Sequence, residues 1–244
     1  MLFLWGFLGL CLLGYPCILR RWKLKRANTT LILIIAHPDD ESMFFVPTIS
    51  CFDPDEVHVI CLSTGNADGL GSVREFELEI ACSKVFGIPK ANIDIINHPD
   101  LLDGMQERWP ISTVSEVVFE SMSRIPKHHP FTVVTFDQNG VSGHSNHIAT
   151  SYGVIRMFQE NEVELQHASL LLLNSLSLHR KYSGILEAIY LSFAYDENRL
   201  VFGNNEISLS YRAMKAHSSQ FVWYRKLFVL FSAYSFVNSY TRFN

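Results

Sequence analysis

The chain has 244 residues, of which 48% are hydrophobic, and a formal net charge of −4. This length and apolar content are sufficient for one α/β domain with a full core, and the acidic balance argues against nucleic acid as a partner. The five cysteines form no C-x-x-C pair, which favours reduced thiols over a disulfide framework or a structural zinc knuckle.

The first segment, residues 2–19, carries no acidic or basic side chain, and its length matches that of a bilayer-spanning helix. The uncharged start and the absence of an Ala-x-Ala sequence favour an uncleaved signal anchor over a cleaved signal peptide. Five basic residues follow within residues 20–26. They predict that residues 20–30 are a juxtamembrane linker and that the domain 31–244 lies in the cytosol, because Lys and Arg beside a span are retained on that side.

From residue 31 onward, apolar runs alternate with amphipathic patterns. Strands are predicted at Leu31–Ala36, Val57–Ser63, Ile93–Asn97, Phe131–Phe136, Leu170–Asn174 and Leu200–Phe202. One helix is predicted over Arg74–Val85, ended by Gly87 and Pro89, and a capping box at Thr113 and Glu116 predicts another that ends near Ile125. This alternation predicts a mostly parallel α/β sheet with helices on both faces.

The C-terminal segment 221–243 is rich in aromatic residues and has only three charged side chains. Its apolar part is too short and too polar for a membrane span. Two interpretations fit it equally well: an interfacial helix that places aromatic rings among lipid headgroups, or a final helix packed on the sheet.

The most informative motif, Ala36-His37-Pro38-Asp39-Asp40-Glu41, follows the first predicted strand directly. A second cluster follows the strand Phe131–Phe136, where Asp137 is succeeded by His144 and His147. Open α/β sheets bind ligands at the carboxyl ends of their strands. Imidazole and carboxylate at two such ends therefore predict a divalent metal site.

A catalytic zinc site needs three protein ligands and one open position for water, and His37, Asp40 and His147 supply such a set. Asp39 would lie beside the metal as a general base, and His144 could stabilise the oxyanion or donate a proton. Each residue alone has a structural interpretation, such as a turn or a helix N-cap. The two clusters together favour the metal site.

The two motifs, Ala36–Glu41 and Gly143-His144-Ser145-Asn146-His147, resemble those of the LmbE-like zinc de-N-acetylases, and most closely the branch that acts on N-acetylglucosaminyl-phosphatidylinositol. Weaker matches extend the resemblance over residues 31–225. It implies a Rossmann-like three-layer sandwich with Zn²⁺ on His37, Asp40 and His147, although iron or cobalt would suit the same ligands. It also implies the roles given above for Asp39 and His144.

The same resemblance implies substrate contacts by Arg74, through a phosphate, and by His217; a surface ion pair is the alternative for Arg74. Asn146 stands where many soluble members have Asp. Because a carboxylate there would raise the pKa of His144, the protonation state of His144 is left open. The remaining histidines, His58, His98, His128, His129, His167 and His179, have no comparable context.

The implied activity is hydrolysis of the N-acetyl group of a phosphatidylinositol glycolipid at the endoplasmic reticulum membrane. A de-N-acetylase of soluble amino sugars is the nearest alternative. A nucleotide-binding Rossmann protein is disfavoured because no G-x-G-x-x-G follows the first strand. An inactive membrane scaffold is the third alternative, and the intact motif residues argue against it. Oligomeric state has no sequence signal.

Overall fold

The computed structural model describes residues 29–126, 128–194, 199–204 and 206–243. The predicted anchor 2–19 and almost all of the linker 20–30 lie outside these ranges. Among the described residues, none of the helices combines the length and the apolar character that crossing a bilayer requires.

Seven strands and ten helices are described. The strands are β1 (Thr30–Ile35), β2 (Val57–Cys61), β3 (Ile93–Ile95), β4 (Phe131–Phe136), β5 (Ser169–Leu173), β6 (Arg199–Gly203) and β7 (Val237–Phe243). The helices are α1 (Asp40–Phe44), α2 (Val46–Ile49), α3 (Gly71–Ile80), α4 (Ile111–Ser123), α5 (Gly140–Gly143), α6 (Ser145–Glu160), α7 (Leu178–Lys181), α8 (Ile185–Phe193), α9 (Leu209–Ala216) and α10 (Trp223–Phe231).

The strands form one sheet in the order β3-β2-β1-β4-β5-β7-β6. The first five strands are parallel, and β7 pairs antiparallel with both β5 and β6. In the centre, Leu33 of β1 lies opposite Val59 of β2 and Val134 of β4. The predicted mostly parallel sheet is confirmed.

The order of the strands determines where a site can form. The chain runs outward from β1 through β2 to β3, and then crosses back to β4 on the other side of β1. Right-handed crossovers then place α3 on one face of the sheet and α4 and α6, which pack against each other, on the opposite face. The loops after β1 and β4 consequently diverge and leave a crevice at the carboxyl ends of these two strands.

The core is built around β1, all six residues of which are buried. A strand buried on both faces is a continuous hydrophobic run, as Leu31–Ile35 is. Its neighbours add Val133 and Val134 of β4 and the largest fully buried rings, Phe45, Phe136, Tyr234 and Tyr240. This rigid centre holds the ends of β1 and β4 in fixed positions.

All six predicted strands are confirmed, with ends shifted by at most two residues. The predicted helix 74–85 begins earlier, at Gly71, and continues as a π-helical segment Ala81–Phe86 up to Gly87, which has φ 78°. The capping box was wrong: α4 begins at Ile111 with Pro110 as its N-cap, and Thr113 lies within the first turn. Pro110 has no side-chain acceptor, and no side-chain hydrogen bond caps the start of α4.

The prediction of one helix over 221–243 was also wrong. The segment forms α10, a 3₁₀ turn at Ala233–Ser235, and the strand β7. The strand was missed because polar residues interrupt the apolar pattern from which the other strands were predicted. Asn238 is fully buried and bonds the Phe44 carbonyl and the Thr48 backbone and hydroxyl. These bonds satisfy a polar side chain in the core, where an unpaired one would be strongly disfavoured.

Gly153 of α6 allows this helix to approach α4. A Cβ atom at this position would lie 2.2 Å from Cγ1 of Val114. We expect Gly153→Ala to lower the free energy of unfolding by about 1–3 kcal/mol, because overpacking outweighs the gain in helix propensity. Denaturant titration would measure it. In a Val114→Gly background, which removes both Cγ1 and the Cβ of Val114 that would lie 2.5 Å away, the same substitution should cost less, and an equal loss in both backgrounds would contradict this explanation.

Candidate active site

The loop after β1 is organised by the carboxylate of Asp40. Its Oδ2 accepts hydrogen bonds from the backbone N–H groups of Ala36 (3.1 Å) and His37 (2.9 Å). These bonds turn the chain directly into α1. Asp39, the N-cap, adopts φ 118°, which is rare for a residue other than glycine and strained.

The loop after β4 positions His147 one turn into α6. Its ring stacks on Phe136 with centroids 4.1 Å apart and planes 2° from parallel. Its Nδ1 lies 3.1 Å from the Gly140 carbonyl, which can only accept, so Nδ1 carries the proton. Nε2 lies 3.2 Å from Oδ1 of Asp40. The two loops therefore bring His147 and Asp40 together as the strand-end argument predicted.

His37, Asp40 and His147 form a buried cluster in which one ligand atom from each lies within 4.8 Å of the others. With Nδ1 protonated, a neutral His147 directs the lone pair of Nε2 at the Asp40 carboxylate, an arrangement that needs a proton or a cation between the two. The buried Nε2 of His37 makes no hydrogen bond to any described residue, although Asp103 is 3.1 Å away. This donor set fits a divalent metal ion.

The charges of the cluster are mutually dependent. Burial alone would raise the pKa of Asp40, but the charge and hydrogen bond of His147, together with His37, hold it well below its usual value. Burial opposes the protonated form of His147, yet Asp40 raises its pKa. The carboxylate is thus ionised and available as a ligand.

Asp39 lies beside this cluster, almost fully buried. Its Oδ2 pairs with Arg225 of α10 and lies 3.4 Å from Nη2 of Arg74. Burial raises the pKa of Asp39, and the two guanidinium groups oppose this rise. A buried carboxylate beside a group of residues able to hold a metal ion, and not itself required as a ligand, can accept a proton.

His144 is the N-cap of α6, and its ring centroid is 4.8 Å from that of His37. Its Nδ1 accepts a hydrogen bond from the Asn146 backbone N–H, so the proton of the neutral ring is on Nε2. Burial, His37 and His147 lower the pKa of His144 to about 4. The Asn146 side chain donates to the Leu102 carbonyl (3.1 Å) and supplies no carboxylate. His144 is therefore a neutral Nε2–H donor at pH 7.

Arg74 is buried within the site and is not a surface residue. Its guanidinium donates to the carbonyls of Gly65 (2.7 Å) and Pro38 (2.9 Å) and to Asp103 (3.0 Å). At Gly65, with φ 70°, a Cβ atom would lie 2.6 Å from the guanidinium carbon. Because protein acceptors occupy both terminal nitrogens, Arg74 holds the site together, and its contact with a substrate phosphate stays a prediction.

His217 is fully buried, and its Nε2 lies 2.6 Å from Oε1 of Glu41. Burial would lower the pKa of His217, but Glu41 raises it. The other Glu41 oxygen accepts the Asp39 backbone N–H at 3.1 Å. In this arrangement His217 supports Asp39 from behind the site, and the substrate contact implied by its motif stays a prediction.

The sequence reasoning missed two residues of the candidate site. Asp103 contacts both His37 and Arg74, and with His37 and His144 it forms a second group able to hold a cation. Burial would raise the pKa of Asp103, but His37 and Arg74 lower it to about 2. Arg225 is the second cation on Asp39. Neither residue follows a predicted strand or belongs to a recognisable motif, so the local sequence does not identify them. The six histidines without a motif context in the sequence analysis belong to neither of the two groups able to hold a cation.

A cavity of about 230 Å³ adjoins the cluster on the Asp103 side. It is lined by Ser63, Thr64, Asn66, Gly71, Ser72, Glu75, Asn97, Leu101, Leu102 and Asp103. Hydroxyl, amide and carboxylate groups dominate this lining, and no Lys or Arg is among them. Such a surface suits a neutral polyhydroxylated ligand better than a phosphate.

Comparison with known proteins gives consistent matches. A family model described as "PIG-L: GlcNAc-PI de-N-acetylase" matches residues 32–158. The probable N-acetylglucosaminyl-phosphatidylinositol de-N-acetylase of Schizosaccharomyces pombe is 36% identical over 219 residues, 86% of this chain and 85% of that protein. The bovine N-acetylglucosaminyl-phosphatidylinositol de-N-acetylase is 36% identical over 218 residues, 88% of this chain and 84% of that protein.

Among solved structures, the N,N'-diacetylchitobiose deacetylase of Pyrococcus horikoshii is similar with a TM-score of 0.52 at 15% identity. The match covers 87% of this chain and 80% of that one. At this identity the similarity concerns the fold alone.

The two groups able to hold a cation share His37 and differ in their other members. We expect Asp40→Ala and His147→Ala to lose bound metal almost completely, because removal of one of three ligands exposes and weakens the site. Asp103→Ala should retain most of it. Metal content of the purified full chain, measured by mass spectrometry, would check this; loss confined to Asp103→Ala would assign the ion to the other group.

Proposed function

The chain belongs to the GlcNAc-PI de-N-acetylase family, and on this premise we propose that it hydrolyses the N-acetyl group of N-acetylglucosaminyl-phosphatidylinositol. The products are acetate and glucosaminyl-phosphatidylinositol with a free amine, the second step in making glycosylphosphatidylinositol anchors. The observation that supports this most directly is the buried cluster of His37, Asp40 and His147 with Asp39 and His144 beside it.

Zinc is the metal we propose, because two imidazoles, one carboxylate and an open position are typical of its catalytic sites. When bound, such an ion polarises a carbonyl and lowers the pKa of water. His37, Asp40 and His147 would hold it. The Gly140 carbonyl, through Nδ1 of His147, and the two backbone donors to Asp40 fix the direction of these ligands.

Asp39 and His144, the side chains beside the cluster, have separate roles in the proposed reaction. Asp39 accepts a proton as water adds to the acetamide carbon, and later delivers it to the amine nitrogen as the C–N bond breaks. Nε2–H of His144 donates to the developing oxyanion, a role that a neutral imidazole performs without changing charge. Arg74 and Arg225 keep the Asp39 carboxylate in place.

The cavity on the Asp103 side supports a carbohydrate or inositol ring as ligand. Its hydroxyl, amide and carboxylate groups can pair with ring hydroxyls, and its volume of about 230 Å³ accommodates one ring, the remainder of the substrate extending outward. The phosphate and acyl chains would then lie toward the mouth of the site. A free amino sugar would fill the same cavity, so the preference for the phosphatidylinositol glycolipid rests on the substrate named for the relatives.

For the cellular setting, we propose a single-pass protein of the endoplasmic reticulum membrane with its catalytic domain facing the cytosol. The apolar run 2–19 and the basic residues that follow it support this. The lipid-linked substrate named for the relatives agrees with it.

Removal of the carboxylate at position 39 separates chemistry from metal binding. We expect Asp39→Ala to retain metal and to lower kcat by roughly 10²–10⁴-fold, because a general base contributes about that factor. The matched control is Asp100→Ala, which removes an exposed carboxylate of the loop that carries Asp103. Acetate release from the glycolipid in detergent would be measured, and near wild-type turnover of Asp39→Ala would assign the base elsewhere.

Acetate release also tests the proposed reaction as a whole. The full chain in detergent should deacetylate N-acetylglucosaminyl-phosphatidylinositol, lose activity with a chelator and regain it with zinc, because the ligand cluster is intact. Free N-acetylglucosamine should be a poor substrate. Release from the free sugar alone would support the soluble amino-sugar alternative, and release from neither would favour a scaffold.

A further inference from the structure

Two neighbouring helices, α8 and α10, expose apolar side chains where a helix of a water-soluble protein carries polar ones. On α8 the outward positions are Leu186, Tyr190 and Phe193, spaced i, i+4 and i+7, and the Phe193 side chain is 81% exposed. On α10 they are Trp223, Leu227 and Leu230, with the same spacing. An outward stripe of this kind contrasts with the amphipathic pattern of surface helices.

Helix α4 shows the ordinary pattern of a surface helix in this fold. On α4 the exposed positions after Ile111 are Glu116, Glu120 and Ser123. By contrast, more than half of the large exposed apolar side chains of the described chain belong to the segments 178–193 and 222–231. These are Leu178, Tyr182, Leu186, Tyr190, Phe193, Val222, Trp223, Tyr224, Leu227, Leu230 and Phe231.

The two segments form one continuous surface, which we name the α7–α10 face. The rings of Tyr182 and Phe228 lie 6.2 Å apart, edge to face. At Gly184, just before α8, a Cβ atom would lie 3.4 Å from the carbonyl oxygen of Phe231, the last residue of α10. The exposed residues are therefore contributed by adjacent elements to a single patch.

The charge of the α7–α10 face is one-sided. Glu187, the only acidic residue of the two segments, is buried and paired with Arg180. His179 and Lys226 are exposed, and Nζ of Lys226 lies 4.9 Å from the ring centroid of Phe221. Among the described residues of the two segments, exposed Trp, Tyr, Phe and Leu side chains with the cation of Lys226 and no exposed carboxylate are complementary to an anionic phospholipid interface.

The same face borders the candidate active site on two sides. Arg225, on the inner side of α10, pairs with Asp39. Lys181 of α7 donates to the carbonyl of Val141 at 2.7 Å, and Val141 belongs to the loop that carries His144. Anything that covers the α7–α10 face is thus placed next to Asp39 and to the loop of His144.

We propose that the α7–α10 face docks on a phospholipid bilayer, with its aromatic side chains at the boundary between headgroups and acyl chains. The proposal rests on the proposed function in one respect: it explains how a glycolipid could enter the site with its acyl chains still in the membrane. A protein partner or a second copy of the chain is the alternative occupant. The exposed aromatic rings, the exposed cation of Lys226 and the position beside Asp39 favour the lipid surface.

Activity on two forms of the substrate tests the docking. The full chain is compared with Phe193→Glu and Trp223→Glu on N-acetylglucosaminyl-phosphatidylinositol in vesicles of phosphatidylcholine and phosphatidylinositol, and on the water-soluble headgroup that lacks acyl chains. We expect KM for the vesicle substrate to rise at least roughly tenfold, because a charge replaces an inserted ring. Activity on the soluble headgroup should not change.

Val163→Glu is the matched control, since Val163 is comparably exposed but lies beyond α6, away from this face. It should leave both activities unchanged. Equal losses on both substrates by Phe193→Glu and Trp223→Glu, or no loss on either, would overturn the proposal. A loss on both accompanied by a change of oligomeric state would instead assign the face to a second copy.

A measurement that does not require catalysis tests the docking independently of the proposed reaction. Full-length protein is placed in nanodiscs that contain brominated phosphatidylcholine, and the fluorescence of Trp223→Phe is subtracted from that of the wild type. We expect the Trp223 signal to be quenched by the brominated lipid, and an unquenched signal would overturn the docking. Quenching in a protein that releases no acetate would uphold the docking and reject the reaction.

Discussion

The position of the Asp40 carboxylate is the constraint on which the rest of the site depends. One oxygen accepts two backbone N–H groups at the end of β1, and the other faces His147 from the loop after β4. An unpaired carboxylate would be strongly disfavoured at this depth, so both partners are needed. The carboxylate thereby links two strand ends that the order of the sheet brings side by side.

The C-terminal third of the chain completes a site that the N-terminal half begins. His217 supports Glu41 from behind, Ser218 and Ser219 bind Glu77, and Gln220 accepts from Arg225, which pairs with Asp39. Burial raises the pKa of Glu77, but these serine hydrogen bonds lower it overall. Carboxylates therefore hold both ends of the segment 217–225, Glu41 at His217 and Asp39 at Arg225. Through Arg225, the orientation of α10 is coupled directly to the candidate base.

The sequence predicted those features that depend on local pattern. Continuous apolar runs predicted β1 and β4, and the short spacing of His37 and Asp40 identified two of the three candidate metal ligands. The sequence did not reveal β7, because Asn238 of this strand is buried through hydrogen bonds to residues nearly two hundred positions away. Asp103 and Arg225 were missed for the same reason: their roles arise from tertiary contacts with His37 and Asp39.

The resemblance to a family implied the roles of individual residues, and the structure shows which hydrogen bonds and ion pairs hold these residues in position. The open question of His144 is an example. The sequence showed only that Asn146 is not a carboxylate, whereas the backbone N–H of Asn146 determines which ring nitrogen of His144 bears the proton. A tautomer follows from a hydrogen bond that no motif records.

The backbone of Asp39 has a consequence for how this position can vary. At φ 118° only glycine is unstrained, and any other side chain, Asp included, is strained by about 1–3 kcal/mol. Gly keeps the backbone without a carboxylate, Asn keeps the shape without a base, and Glu keeps the base on an unfavourable backbone. No substitution both relieves the backbone strain and keeps the carboxylate, so the stability of the loop and the candidate base oppose each other at Asp39.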